Sequence, residues 1–254
     1  MHVQKINNID VIKVNNVFDK KTTKYNDMFT NCVFPNIFIS SKKNSGKTSL
    51  IYTIIKHCAS LKTTIRIFST TYDNDLTMKS ILKKLDKYGI NYELYDSLID
   101  EDGQDIIDLQ FKEAQRLLDE ELIEKLSKQK FQYPLFIYVF DDFPGMRNSE
   151  SIYNLIRRNR HIKSLCIFSS QWWIDINPSC RQNTNYIILY SEIPLKTLKT
   201  IYEEKVKGMD FEKFLEIYYI STKQPYSFLY INCDNMDDFR IKFDQKIIWK
   251  KNNI

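Results

Sequence analysis

The sequence predicts an α/β fold: a mostly parallel β-sheet with helices on both faces. Three observations lead there. Short apolar runs recur along the chain, separated by segments whose apolar residues step by three and four. One run, Ile37-Phe38-Ile39, passes through a tight polar loop straight into an amphipathic segment. Another, Phe136-Ile137-Tyr138-Val139-Phe140, is continuously apolar, as a central strand buried on both faces must be, and it ends on two acids, Asp141 and Asp142.

In chain order, residues 1–30 are polar, with a short strand-like piece at Val11–Val14, and are expected to form an N-terminal extension on the edge of the sheet. A core follows over 31–206. Its first strand leads into a helix with apolar residues at Leu50, Ile51, Ile54, Ile55, Cys58 and Leu61. Thr64–Thr70 is a second strand, Leu76–Tyr88 a helix and Tyr92–Tyr95 a short strand. Residues 105–130 place Ile107, Phe111, Ala114, Leu118, Leu122 and Leu126 on one stripe of a long helix. The strand Leu135–Phe140, a helix from about Ser149 to Arg160, and strands Ser164–Ser169 and Tyr186–Tyr190 complete the alternation. Helices over 194–206 and 210–219 and a hairpin-like tail, Phe228–Ile231 then Ile241–Trp249, follow. Residues 207–254 are expected as an α/β appendage packed on the core.

Composition sets limits on function. A 254-residue chain with 27% charged and 14% aromatic residues has the make-up of a folded domain with a large core. The net charge of +5 permits contact with nucleic acid without establishing it. Five cysteines, an odd number with no Cys-x-x-Cys, argue against a disulfide framework or a zinc site and fit a reducing compartment. The longest apolar run near the middle, Leu135–Phe140, is far too short to span a bilayer, and the N-terminus lacks a signal-peptide core, so no membrane partner is expected.

The candidate site begins at Ser41-Lys42-Lys43-Asn44-Ser45-Gly46-Lys47-Thr48-Ser49, a polar loop between strand and helix that ends in Gly-Lys-Thr. That context is a phosphate-binding P-loop (Walker A). Backbone N–H groups of the loop and first helical turn converge on one spot, where the helix dipole favours negative charge. Lys47 would reach the β- and γ-phosphates of ATP, and the Thr48 hydroxyl would ligate Mg²⁺. The full pattern opens with Gly, and here that position is Ser41. Phe140-Asp141-Asp142 matches a Walker B strand end: Asp141 would hold Mg²⁺ and Asp142 would activate water as general base. Gln171, at the tip of the next strand, would sense the γ-phosphate. Arg160, in the basic run Arg157–His161, and Arg181 are rival arginine fingers. DNA phosphate contact and simple capping of a helix C-terminus remain alternatives for the basic run. Trp172-Trp173 suits core packing more than stacking on a base.

Taken together, these residues resemble the FtsK–HerA superfamily of ring-forming DNA pumps, and among them the genome-packaging ATPases of poxvirus-like large DNA viruses and virophages. Ser45–Thr48, Phe140–Asp142, the block Arg160-His161-Ile162-Lys163-Ser164-Leu165-Cys166-Ile167-Phe168-Ser169-Ser170-Gln171, and Pro178 with Arg181 and Asn183 carry the resemblance, helped by Ser69–Tyr72 and Asp75. It covers roughly residues 33–190. It implies a RecA/ASCE-like P-loop NTPase fold and ATP hydrolysis with Mg²⁺. It also implies sequence-independent translocation of double-stranded DNA into a preformed capsid by a homomeric ring. A portal or capsid contact and a place in the host cytoplasm at the viral assembly site, with virion association, follow from the same resemblance. Rival readings are a nucleotide-dependent kinase or GTPase switch, against which no Asn-Lys-x-Asp guanine motif occurs, and a degenerate P-loop module that only scaffolds partners, for which Ser41 is the main support.

Overall fold

The computed structural model describes residue 25 and residues 27–30, 32–118, 125 and 132–249. Nine strands form one sheet: β1 (Asn36–Ser40), β2 (Thr64–Phe68), β3 (Asn91–Tyr95), β4 (Phe136–Asp141), β5 (Ser164–Ser170), β6 (Tyr186–Leu189), β7 (Leu229–Asn232), β8 (Phe239–Ile241) and β9 (Gln245–Lys246). Their spatial order is β3-β2-β4-β5-β1-β6-β7-β8-β9. The first six in that order are parallel to their neighbours, and β7 to β9 continue the sheet antiparallel. The α/β fold that the alternation predicts is therefore present, with helices on both faces.

Alternation along the strands sorts two cores. Ile37, Ile39, Ile137 and Val139 face α1 (Lys47–Cys58) and α2 (Leu76–Tyr88). Phe38, Phe136, Tyr138 and Phe140 face the other side, which α3 (Ile106–Leu117), α4 (Glu150–Arg158), α6 (Leu195–Lys205) and α7 (Phe211–Ser221) cover; a short α5 (Pro178–Gln182) precedes β6. On that second face, Phe68, Phe140 and Phe168 sit level on three adjacent strands and stack with ring centroids 4.9 Å apart at both steps. This aromatic ladder lies one residue beneath Asp141 and fixes the height of the acids.

Most helix starts are capped as their sequences suggest. Asp75, Asp105 and Ser149 accept hydrogen bonds from first-turn N–H groups of α2, α3 and α4. The start of α1 is different: Gly46 is its N-cap and no side chain closes it.

Several boundaries differ from the sequence reading. The helix expected over 105–130 ends at Leu117, where Leu118 leaves helical geometry (φ −88°, ψ 57°), and the rest of that stretch, except residue 125, lies outside the described residues. The basic end of α4 tightens into a 3₁₀ turn, Asn159–Ile162, closed by Lys163 in the left-handed region (φ 52°). The second tail strand starts at Phe239, earlier than Ile241. Residues 207–254, expected as an appendage, contribute β7 to the main sheet through its pairing with β6. Val11–Val14 lies outside the described residues. At the end of the N-terminal extension, Phe29 packs on the α1–α2 face of the sheet, 5.0 Å from the Tyr186 ring of β6, and Arg240 of β8 donates to the Asp27 carbonyl at 2.6 Å.

Candidate nucleotide site

Strand register builds the site. Ser40 of β1 pairs with Ser170 of β5, and Asp141 of β4 pairs with Ser169. Three neighbouring strands thus end level, and their carboxyl ends bring together segments about a hundred residues apart in sequence. A cleft of about 950 Å³ opens there. Lys43, Asn44, Gly46, Lys47, Thr48 and Ser49 line it, with Asp141, Asp142 and Gln171.

The loop is held from within. Ser45 Oγ donates to the Lys42 carbonyl at 2.8 Å, and the Ser41 N–H donates to the Ser170 carbonyl at 3.3 Å. The left-handed positions are Asn44 (φ 62°) and Gly46 (φ 93°), while Ser41 is not in that region. The conformational freedom of Gly is thus used at 44–46 and not at 41, and Asn accepts a left-handed backbone better than most residues. This explains how Ser41 replaces the usual glycine. Ser41, Lys42 and Ser45 shape the loop without lining the cleft: Ser41 is fully buried, and Lys42 Nζ turns aside to Glu192 at 2.7 Å on the β6 side.

Lys47 joins loop to acids. Its ammonium lies 3.1 Å from Asp141 Oδ1 and is ion-paired to Asp142. Burial opposes the charge on Lys47, but Asp141 and Asp142 outweigh burial and hold the ammonium above its usual pKa range. Burial raises the Asp141 carboxyl above the usual carboxylate range, against the lowering influence of Lys47. Asp141 Oδ1 is buried and, apart from that ammonium, has no hydrogen-bond partner among the described residues. A buried carboxylate oxygen held only by that ammonium and the Thr48 hydroxyl both belong to residues that line one polar cleft, and such oxygen donors fit Mg²⁺, a hard cation that takes oxygen ligands.

Gln171 follows β5 directly. Ser40 Oγ donates to its carbonyl at 3.2 Å, which ties it to the strand that feeds the P-loop. The two tryptophans diverge: Trp173 is fully buried, edge-on to Phe38 at 4.7 Å, whereas Trp172 is 46% exposed on the cleft rim.

Arg181 requires a correction as an arginine finger. It is buried, and its guanidinium donates twice to Glu204, at 2.8 and 3.0 Å, a carboxylate that also accepts from Trp173 Nε1 at 2.8 Å. A planar fork held on both arms inside the protein is not offered to a neighbour. Arg181→Ala should lower stability by about 2 kcal/mol by leaving Glu204 without its charge partner. Thermal denaturation reads that loss, and loss of turnover without loss of stability would return Arg181 to the site. Arg160, in contrast, is exposed and sits just before β5, at the end of the sheet opposite the cleft of its own chain.

Among the residues that line the cleft and that the sequence reading did not place in the site are Arg147, Asp175 and Tyr226. Arg147 was accessible to it, because the loop leaving β4 must run over the carboxyl edge. Phe143 and Met146, both buried, anchor that loop on either side of Gly145. Asp175 accepts a hydrogen bond from Ser170 Oγ. Nothing in the sequence signals Tyr226, whose place depends on β7 pairing with β6.

The sheet, the P-loop and the acids at neighbouring strand ends are those of a P-loop ATPase fold. Solved structures with this fold include the genome-packaging NTPase B204 from Sulfolobus turreted icosahedral virus 2 in complex with AMP (17% identity, TM-score 0.53, covering 85% of this chain and 98% of that one). The same protein in complex with ATP-γS aligns at 18% identity with TM-score 0.51 over 86% of this chain and 100% of that one. The cytoplasmic domain of the Thermomonospora curvata type VII secretion ATPase EccC aligns at 11% identity with TM-score 0.51 over 84% of this chain but 25% of that one. No protein-family profile and no curated protein sequence matches the chain.

Proposed function

We propose that the protein is an ATPase of the FtsK–HerA type that drives double-stranded DNA into a preformed viral capsid. The observation that carries the ATPase reading is Lys47: it stands at the uncapped start of α1 and reaches both Asp141 and Asp142 across the cleft. The P-loop N–H groups receive the phosphates of ATP, and Lys47 leaves the carboxylates for the β- and γ-phosphate oxygens. Asp142, released from Lys47, takes a proton from the attacking water as the oxygen bonds to the γ-phosphorus. The bond to the bridging oxygen breaks and ADP departs. Thr48 and Asp141 would hold Mg²⁺, which withdraws charge from the β- and γ-phosphates when bound. Gln171 orients the water or senses the γ-phosphate.

The DNA and the capsid rest on less. B204 is named as a genome-packaging NTPase, and the sequence resemblance points the same way. Electrostatics agrees: α2 exposes Lys79, Lys83, Lys84 and Lys87, and Arg157, Arg158 and Arg160 are exposed before β5. Such patches suit phosphate contacts without base readout. In a ring, Arg160 would serve the cleft of the next subunit, which is consistent with its distance from its own. Capsid or portal contact and a place at the viral assembly site in the host cytoplasm complete the proposal.

ATPase activity measured across protein concentration, with and without duplex DNA, tests it. We expect turnover per subunit to rise steeply with concentration and to increase with DNA. Turnover indifferent to both would leave an ATPase but remove the motor.

A further inference from the structure

We propose that Tyr226 is the stacking platform for the nucleobase of the bound nucleotide; this rests on the ATPase reading above and adds the base end of the same site. Sheet order gives the nucleotide its direction. Asp141, Asp142 and Gln171, which define the γ-phosphate end, belong to β4 and β5, on one side of the P-loop strand β1. The base must then lie toward the other side, where β6 and β7 follow. β7 runs antiparallel to β6, with Leu229 opposite Leu189, so the loop that enters β7 arrives at the cleft edge. Tyr226 sits in that loop, three residues before the strand.

Its geometry is that of a ring waiting for a partner. Tyr226 is 70% exposed although it is a large aromatic, and it lines the cleft with Gly46, Lys47 and Thr48. Its backbone is left-handed (φ 59°), a strained state for an aromatic residue that clusters at functional sites. Its Cδ1 stands only 3.1 Å from where a Cβ on Gly46 would be. The glycine therefore serves two purposes, the left-handed turn and room for this ring. The other exposed aromatic of the cleft, Trp172, adjoins Gln171 at the phosphate end and is wrongly placed for the base. A stacking ring reads the π-face that every base has, so it adds affinity with little discrimination among bases.

The test compares dissociation constants of ATP and of inorganic tripolyphosphate, measured with Mg²⁺ by calorimetry, for the wild type, Tyr226→Ala and Tyr226→Phe. We expect Tyr226→Ala to weaken ATP on the order of tenfold while tripolyphosphate stays within about twofold, and Tyr226→Phe to bind ATP as the wild type does. Unchanged ATP binding in Tyr226→Ala overturns the inference. So does an equal loss for ATP and tripolyphosphate, which would mean that the ring supports the P-loop and not the base. Failure of the wild type to bind either compound would overturn the nucleotide site itself, and this inference with it.

Discussion

Lys47→Ala should abolish ATP hydrolysis and, in the nucleotide-free protein, cost about 3 kcal/mol of stability. The first effect follows from the proposed role of Lys47, the cleft-lining ammonium at the start of α1, as the cation that meets the phosphates. The second follows from what Lys47 does before ATP arrives. Its side chain is 13% exposed, that of Asp141 is 7% exposed, and breaking so buried a pair by removing one partner leaves an uncompensated charge inside. In a chain of this size the loss corresponds to a fall on the order of 10 °C in thermal midpoint. Its pH dependence identifies the cause. Asp141 already has a folded-state pKa above the usual value, and removing Lys47 raises it further. A group whose folded pKa is raised contributes stability fully present below its unfolded pKa and lost as pH rises through the folded one. The deficit of the variant should therefore be large at neutral pH and shrink towards about pH 4, near the unfolded carboxylate value. Lys47→Ala combined with Asp141→Asn should recover stability without recovering turnover. Hydrolysis that survives in Lys47→Ala would contradict the assignment of the P-loop lysine, and a deficit equal at both pH values would clear Asp141 of the destabilisation.

The same pair shows why much of the candidate cleft could be located from the sequence. A P-loop is a local object: strand, loop and helix start are contiguous, and the spacing from Gly46 to Thr48 carries their chemistry. The acids at the end of β4 were readable because a strand buried on both faces must be apolar throughout, so the first charges mark its tip. What failed was non-local. The partner of Arg181 is Glu204, 23 residues on and on another helix, and no spacing rule links them. Tyr226 enters the site only through antiparallel pairing of β7 with β6, which the tail's hairpin-like pattern did not specify. Leu118 lies on the same apolar stripe as Ile107, Phe111 and Ala114, yet the helix stops before it. Periodicity records which face is buried, not where the backbone turns.

Asp142→Asn should keep ATP binding and lose turnover by about 10²- to 10⁴-fold, the range for loss of a general base. Structure makes Asn the right replacement. Asp142 is left-handed (φ 45°), and its N–H donates to the Ser169 carbonyl at 2.8 Å. Asn tolerates that backbone, whereas Ala would add strain and blur the comparison. The amide keeps the size of the carboxylate but has no basic oxygen to receive a proton from water. Removing a negative charge that competes for Lys47 should, if anything, tighten ATP, so calorimetry with a non-hydrolysable analogue is expected to give equal or stronger binding. Asp141→Asn separates the two acids: it should raise the Mg²⁺ concentration needed for nucleotide binding, a shift that Asp142→Asn should not show. If Asp142→Asn turns ATP over at near wild-type rate, the base is elsewhere in the cleft, and Asp175, tied to Ser170 beside Gln171, is the next carboxylate to test.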